Sequence, residues 1–99
     1  MFAYTVRCTF TDPTVADEWI AWLVSEHIAD VRAAGAHDAK LVKLDGEPIC
    51  CEVRYTFVSR GDFERYERDH APRLREEGLR RFPLERGLSY QRSTGNIIP

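Results

Sequence analysis

An acid, a histidine, small or apolar residues, and then an apolar residue four places after the histidine form a string that is written twice in this chain. It reads Glu26-His27-Ile28-Ala29-Asp30-Val31 and again Asp69-His70-Ala71-Pro72-Arg73-Leu74. Four residues is about one helical turn, so each histidine shares a helix face with the apolar residue that follows it. Two matched helices predict two matched half-folds. At 99 residues the chain is read as one domain over 1–99, small enough that a second copy is a natural cover for leftover apolar surface.

Around the repeated string the periodicity switches between two and 3.6. Phe2, Tyr4, Val6, Cys8 and Phe10 alternate with Ala3, Thr5, Arg7 and Thr9, the pattern of a strand with one buried face. Asp12-Pro13 stops it, and Thr14 with Asp17 three places on predicts a helix N-cap. The first helix is expected from about Val15 to Ala34, where Trp19, Leu23, His27 and Val31 share one arc, with Gly35 ending it. A short strand from Ala39 to Leu44 and an Asp45-Gly46 turn lead into a strand from Ile49 to Val58. Ser59 and Asp62 mark a second helix start, followed at helical spacing by Phe63, Tyr66, His70, Leu74 and Gly78. The Pro72 ring would clash with the Arg68 carbonyl, so a kink or a restart with Asp69 as the new N-cap is expected. Gly78 reads as a place of close approach and Pro83 as the end. Leu88 to Arg92 is a short fourth strand, and 93–99 a loose C-terminal tail.

The order β-α-β-β-α-β predicts an α+β, ferredoxin-like domain: a four-stranded antiparallel sheet with two helices on one face. The other face should show Thr5, Arg7, Thr9, Glu52, Arg54, Thr56, Ser89 and Gln91. That set suits water and suits a second molecule.

Composition excludes several classes. Fourteen basic and sixteen acidic residues give a net charge of −2, which offers no general attraction to nucleic acid or to an anionic membrane. The charge is uneven, with nine arginines and seven acids in 60–99, but no basic tail results. An RNA-binding sheet of the RRM type would need a glycine-containing basic motif and exposed aromatics on the third strand. Here that strand reads Cys50-Cys51-Glu52-Val53-Arg54-Tyr55-Thr56-Phe57, with its aromatics on the core parity. Cys8, Cys50 and Cys51 have no metal-ligand spacing, and their odd number without a signal-like opening predicts buried thiols in a reducing cytoplasm. No nucleophile elbow, phosphate loop, metal motif or other cofactor motif occurs, so no cofactor and no metal is expected.

Several of these strings together resemble a known family. Tyr4-x-Val6, Trp22-x4-His27-Ile28, Tyr66-x3-His70-Ala71-Pro72-x-Leu74-Arg75-x2-Gly78-x3-Phe82 and the late Arg92 look like an uncharacterised bacterial domain-of-unknown-function family. It lies in the dimeric α/β-barrel (ferredoxin-like) superfamily, alongside EthD-like and antibiotic-biosynthesis-monooxygenase-like proteins. The resemblance covers nearly the whole chain and implies a homodimer whose sheets pack face to face. It implies no established reaction. The chain departs from that pattern at Ala29, Ala36 and Pro83.

Chemistry would come from the histidines. His27 and His70 are both expected on the arc that faces the sheet, either as acid-base groups in a half-buried pocket or as core rings bonded to backbone or to an acid such as Asp30. Their truncation to alanine is expected to destabilise the fold by roughly 1 to 3 kcal/mol through lost buried hydrogen bonds, whereas unchanged melting with a lost ligand response would favour the functional role. His37 belongs to a turn. Trp22, Tyr66 and Arg92 are the ligand-binding candidates, since aromatic edges and a guanidinium can orient a flat anion. Structural readings stand beside these: tryptophan as core or dimer-contact bulk, and Arg92 reaching past the strand end to an acid. The functions expected are small-ligand binding, with a cofactor-independent oxygenase or isomerase using His27 or His70 as one alternative, and a purely structural dimer as the other.

Overall fold

A computed structural model describes all 99 residues. Strands β1 (Phe2–Phe10), β2 (Asp38–Lys43), β3 (Ile49–Phe57) and β4 (Leu88–Asn96) form one antiparallel sheet in the order β2-β3-β1-β4. The expected α+β ferredoxin-like architecture is the one observed. The period-two pattern sets the register: Phe2 faces Phe57 and Phe10 faces Ile49, which puts Tyr4, Val6, Cys8, Val53 and Tyr55 on one side of the sheet. That side meets the helices. Trp19, Leu23, Val31, Phe63, Tyr66 and Leu74 join it in a single buried cluster.

Each of the two expected helices is divided. The first is α1 (Pro13–Trp22), a π-helical turn (Leu23–His27) and α2 (Ile28–Ala33), running on without a break. Its N-cap is Asp12 and not Thr14: the Asp12 carboxylate accepts from the Thr14 N–H at 2.8 Å, with Pro13 at the first helical position, where no N–H partner is needed. Gly35, at φ +134°, ends α2 in a conformation that a side chain would strain. The second pair is α3 (Arg60–Asp69), capped by Ser59 accepting from the Asp62 N–H at 3.1 Å, and α4 (Ala71–Arg81). The restart falls on His70 and not on Asp69. His70 takes φ −129° and is the last position free to break before Pro72, which has no N–H to offer the Arg68 carbonyl.

The fourth strand outruns the sequence reading. It continues through Ser93, Thr94 and Gly95 to Asn96, because β1 offers paired positions as far as Phe2. Unpaired backbone groups on β1 are best satisfied by extending the neighbour, and Ile97 N–H still reaches Met1 O at 3.1 Å. The loose tail expected over 93–99 is therefore reduced to the residues after Asn96. On the open face Glu52 is buried between Arg7 and Arg54, at 2.7 and 2.8 Å, and the two guanidiniums hold its carboxyl below the usual carboxylate range. No helix is long and apolar enough to cross a membrane.

Candidate functional site

The helices do not seal completely onto the sheet. Between the π turn, α3, α4 and the helix-facing side of β1, β3 and β4 lies a cleft that gives about 40 Å³ to the centres of water-sized molecules. That is room for about three waters, or for the edge of a flat ring. Its walls are mostly aromatic and aliphatic.

Trp22, the last residue of α1, and His27, the last of the π turn, form one wall. Five residues apart in an ordinary α-helix, they would point about 140° apart. Here the Ile28 N–H reaches back five residues to the Leu23 carbonyl, and the wider turn sets residues 22 and 27 on the same side. Their rings stack at 4.4 Å between centroids and 23° between planes. Gly78 on α4 makes room for the indole: a Cβ there would lie 3.4 Å from Trp22 Cη2. The close approach expected of Gly78 thus has its partner.

The opposite wall comes from the sheet and from α3. Tyr66 packs on Phe57 and toward Tyr4, and Trp19 Nε1 donates to the Tyr90 hydroxyl at 3.2 Å. Burial pushes the Tyr66 and Tyr55 phenols above the ordinary range and Tyr90 up to about 12. All three remain neutral hydroxyls at neutral pH. Arg92, on the helix-facing parity of β4 as expected, reaches no acid. Its guanidinium lies 5.3 Å from the Tyr90 ring centroid, a cation–π arrangement in place of the expected ion pair.

Arg75 enters from α4, its Nη2 donating to the Tyr4 hydroxyl at 3.1 Å and to Glu67 at 3.3 Å. In the sequence Arg75 stands out only as part of the string from Tyr66 to Phe82. Its signal was position, one helical turn before Gly78 and one residue after the core-facing Leu74, where a long side chain runs along the buried face. Two guanidiniums therefore border a cleft with no carboxylate in its lining.

Three polar atoms around this cleft are enclosed and have no hydrogen-bond partner: Trp22 Nε1, His27 Nδ1 and Arg75 Nε. Each such atom costs about 1 to 3 kcal/mol relative to a satisfied one. Burial pushes the His27 imidazole down to about 4, with Arg92 acting in the same direction and Asp30 against it. The ring is neutral at pH 7.

The structure brings Trp22, Tyr66, Arg92 and His27 together, and leaves His70 out. His70 lies in a shallow groove between α2 and α4 with Asp30, Arg73 and Glu77, its Nδ1 3.1 Å from Arg73 Nη2 on an exposed surface. The helix break is the reason, since the chain turns at His70 and takes the ring off the sheet-facing arc. Neither histidine makes the buried bond expected of it, and Asp30 is not bonded to His27. His37 is exposed in the loop before β2.

The DUF4286 family, a domain of unknown function, matches residues 1–92. The chain belongs to this family. No curated protein matches the sequence. Among solved structures, a dimeric ferredoxin-like protein from an uncultured marine organism superposes with a TM-score of 0.77 at 13% identity, over 100% of this chain and 96% of that one. SnoaB, a cofactor-independent oxygenase from Streptomyces nogalater, gives 0.69 at 11% identity over 99% and 93% of the two chains. An EthD family protein from Bacillus halodurans gives 0.60 at 15% over 99% and 100%. At such identities the likeness shows a shared fold alone, and carries no ligand or reaction with it.

Proposed function

We propose that this protein binds a small, flat, oxygen-bearing molecule in the cleft between helices and sheet. The observation that carries this reading is that Trp22 Nε1, His27 Nδ1 and Arg75 Nε are enclosed and unpartnered on three residues that line one aromatic-walled space. A native fold leaves few buried polar atoms unpaired, and three on residues around one cleft suit a polar guest that takes the place of ordered water. Arg75 and Arg92 favour negative charge on that guest, and Trp22 and Tyr66 offer flat surfaces to it. The space is narrow, so a ligand must part the side chains as it enters.

The working form under this proposal is a cytoplasmic homodimer joined through the open sheet faces, without nucleic acid or membrane as partner. Support comes from the dimeric relatives and from three free, buried cysteines. Native mass spectrometry of freshly purified protein tests both parts at once: a dimer mass carrying a small adduct is expected, and a bare monomer contradicts both.

A second reading is a cofactor-independent enzyme of oxygenase or isomerase type, with His27 as its acid-base group. It is favoured by the neutral, unpartnered ring nitrogen and by the fold shared with SnoaB. Oxygen consumption or substrate isomerisation that depends on His27 would move the assignment from binder to catalyst.

A further inference from the structure

Resting on the reading of the cleft as a ligand site, we infer that its ligand is a flat aromatic monocarboxylate, with the ring inside the cleft and the carboxylate at its mouth on Arg92.

The split between exposed and buried lining gives this orientation. Of the residues that line the cleft only Leu79 on α4 and Arg92 on β4 are exposed, so the cleft opens between these two elements. Behind the mouth Trp22, Leu23, Val53 and Tyr66 are all buried. An apolar, aromatic interior behind a cationic rim fits a molecule with one apolar and one anionic end. The anion belongs at the rim, where it keeps part of its water and the cost of burying a charge is avoided.

The charges select a single negative group. Arg75 is already paired with Glu67 at 3.3 Å, and burial keeps His27 neutral at pH 7. Arg92 is then the one cation of the lining without an acid. Its guanidinium lies 5.3 Å from the Tyr90 ring centroid and pairs with no other side chain, which leaves its N–H groups for a bidentate bond to a carboxylate.

The walls select a flat molecule. The stacked rings of Trp22 and His27 stand on one side and Tyr66 on the other, around a space of about 40 Å³ to the centres of water-sized molecules. A carboxylate joined to an aromatic ring lies in the plane of that ring and enters edge-on with it, and the ring faces meet aromatic walls. A puckered ring or a tetrahedral phosphate is thicker, and a phosphate also carries more charge than one free guanidinium answers. Leu79 and Arg92, long side chains at the rim, are the groups that give way as the ligand passes.

The test titrates benzoate, its neutral isostere benzamide and the thicker cyclohexanecarboxylate into the protein. Binding is read by calorimetry and by the emission of Trp19 and Trp22, which both line the cleft. Benzoate is expected to change the emission and to bind about tenfold or more tightly than either comparison compound. Arg92→Gln and Arg92→Met, at an exposed position where the fold tolerates change, are expected to weaken benzoate about tenfold while leaving benzamide as it was. Benzamide that binds as well as benzoate, or benzoate that binds both variants as it binds the wild type, overturns the carboxylate on Arg92 and leaves the cleft reading intact. Equal binding of cyclohexanecarboxylate overturns the flat ring. Binding heat without a change in emission puts benzoate outside the cleft and overturns the inference, and no binding by any of the three overturns the cleft reading with it.

Discussion

Trp22 and His27 are stacked at 4.4 Å, and the imidazole nitrogen enclosed beneath the indole has no protein partner. The pair therefore combines a favourable ring contact, worth about 1 kcal/mol, with an unsatisfied polar atom of opposite sign and similar size. His27→Phe keeps the first and removes the second. Its melting temperature is expected to match or exceed that of the wild type, while the response to any cleft ligand is lost; a loss of about 2 kcal/mol in chemical denaturation would show that His27 holds the fold. His70→Ala, on the exposed groove, is expected to change stability by less than about 0.5 kcal/mol.

Acid should destabilise the protein through the same ring. The folded His27 pKa, near 4, lies below the ordinary imidazole value of 6.5, so the unfolded chain takes up the proton more readily. The stability tied to the neutral ring is complete above about pH 6.5, falls as the pH drops toward 4, and levels off below that. Thermal melts of the wild type across this window should slope downward toward acid, and the difference from His27→Phe isolates the histidine from carboxylates such as Glu52. Identical profiles for the two proteins would place the imidazole in solvent.

Gly78 sits against the Trp22 indole, with only 3.4 Å between the place of a Cβ and Cη2. Gly78→Val adds branched bulk at this contact. It should cost about 1 to 3 kcal/mol by overpacking and shift the tryptophan emission as Trp22 is displaced. An unperturbed spectrum with wild-type stability would contradict the contact.

Glu52 is buried on the open sheet face between Arg7 and Arg54. Under the proposed sheet-to-sheet homodimer, Glu52→Lys sets three cations on each face in place of a paired trio. Sedimentation velocity should then show monomer where the wild type shows dimer. A variant that stays dimeric would move the interface off this face.

Burial pushes the Cys8 thiol up to about 12 and raises Cys51 as well. Both should stay unreactive toward Ellman's reagent at pH 8 in the native protein and titrate fully in guanidinium, because the thiolate is the reactive form. Rapid native labelling of either would mean that the core opens.

Much of the fold was legible because alternation and helical spacing are local signals. Phe2 to Phe10 and Ile49 to Phe57 declared their buried faces residue by residue, and the register followed. What escaped was decided by neighbours. The end of β4 depends on how far β1 extends, a fact about pairing that Ser93-Thr94-Gly95 does not display. The site was legible in part: Trp22, Tyr66 and Arg92 were named on chemistry and parity, and they border one cleft. His70 was misplaced because its resemblance to His27 lay in the string and not in the helix, which Pro72 interrupts. Arg75 was overlooked because nothing in its own spacing says that its Nε would be enclosed.

A π turn holds one residue more than an α turn, and with it in place Leu23 and Val31 are both fully buried. Rewinding Leu23–His27 as ordinary α-helix at the present length would turn residues 22 and 27 away from each other, whereas removing one residue there would leave them about one turn apart and still on one side, so the cleft wall answers to the length of chain in this turn.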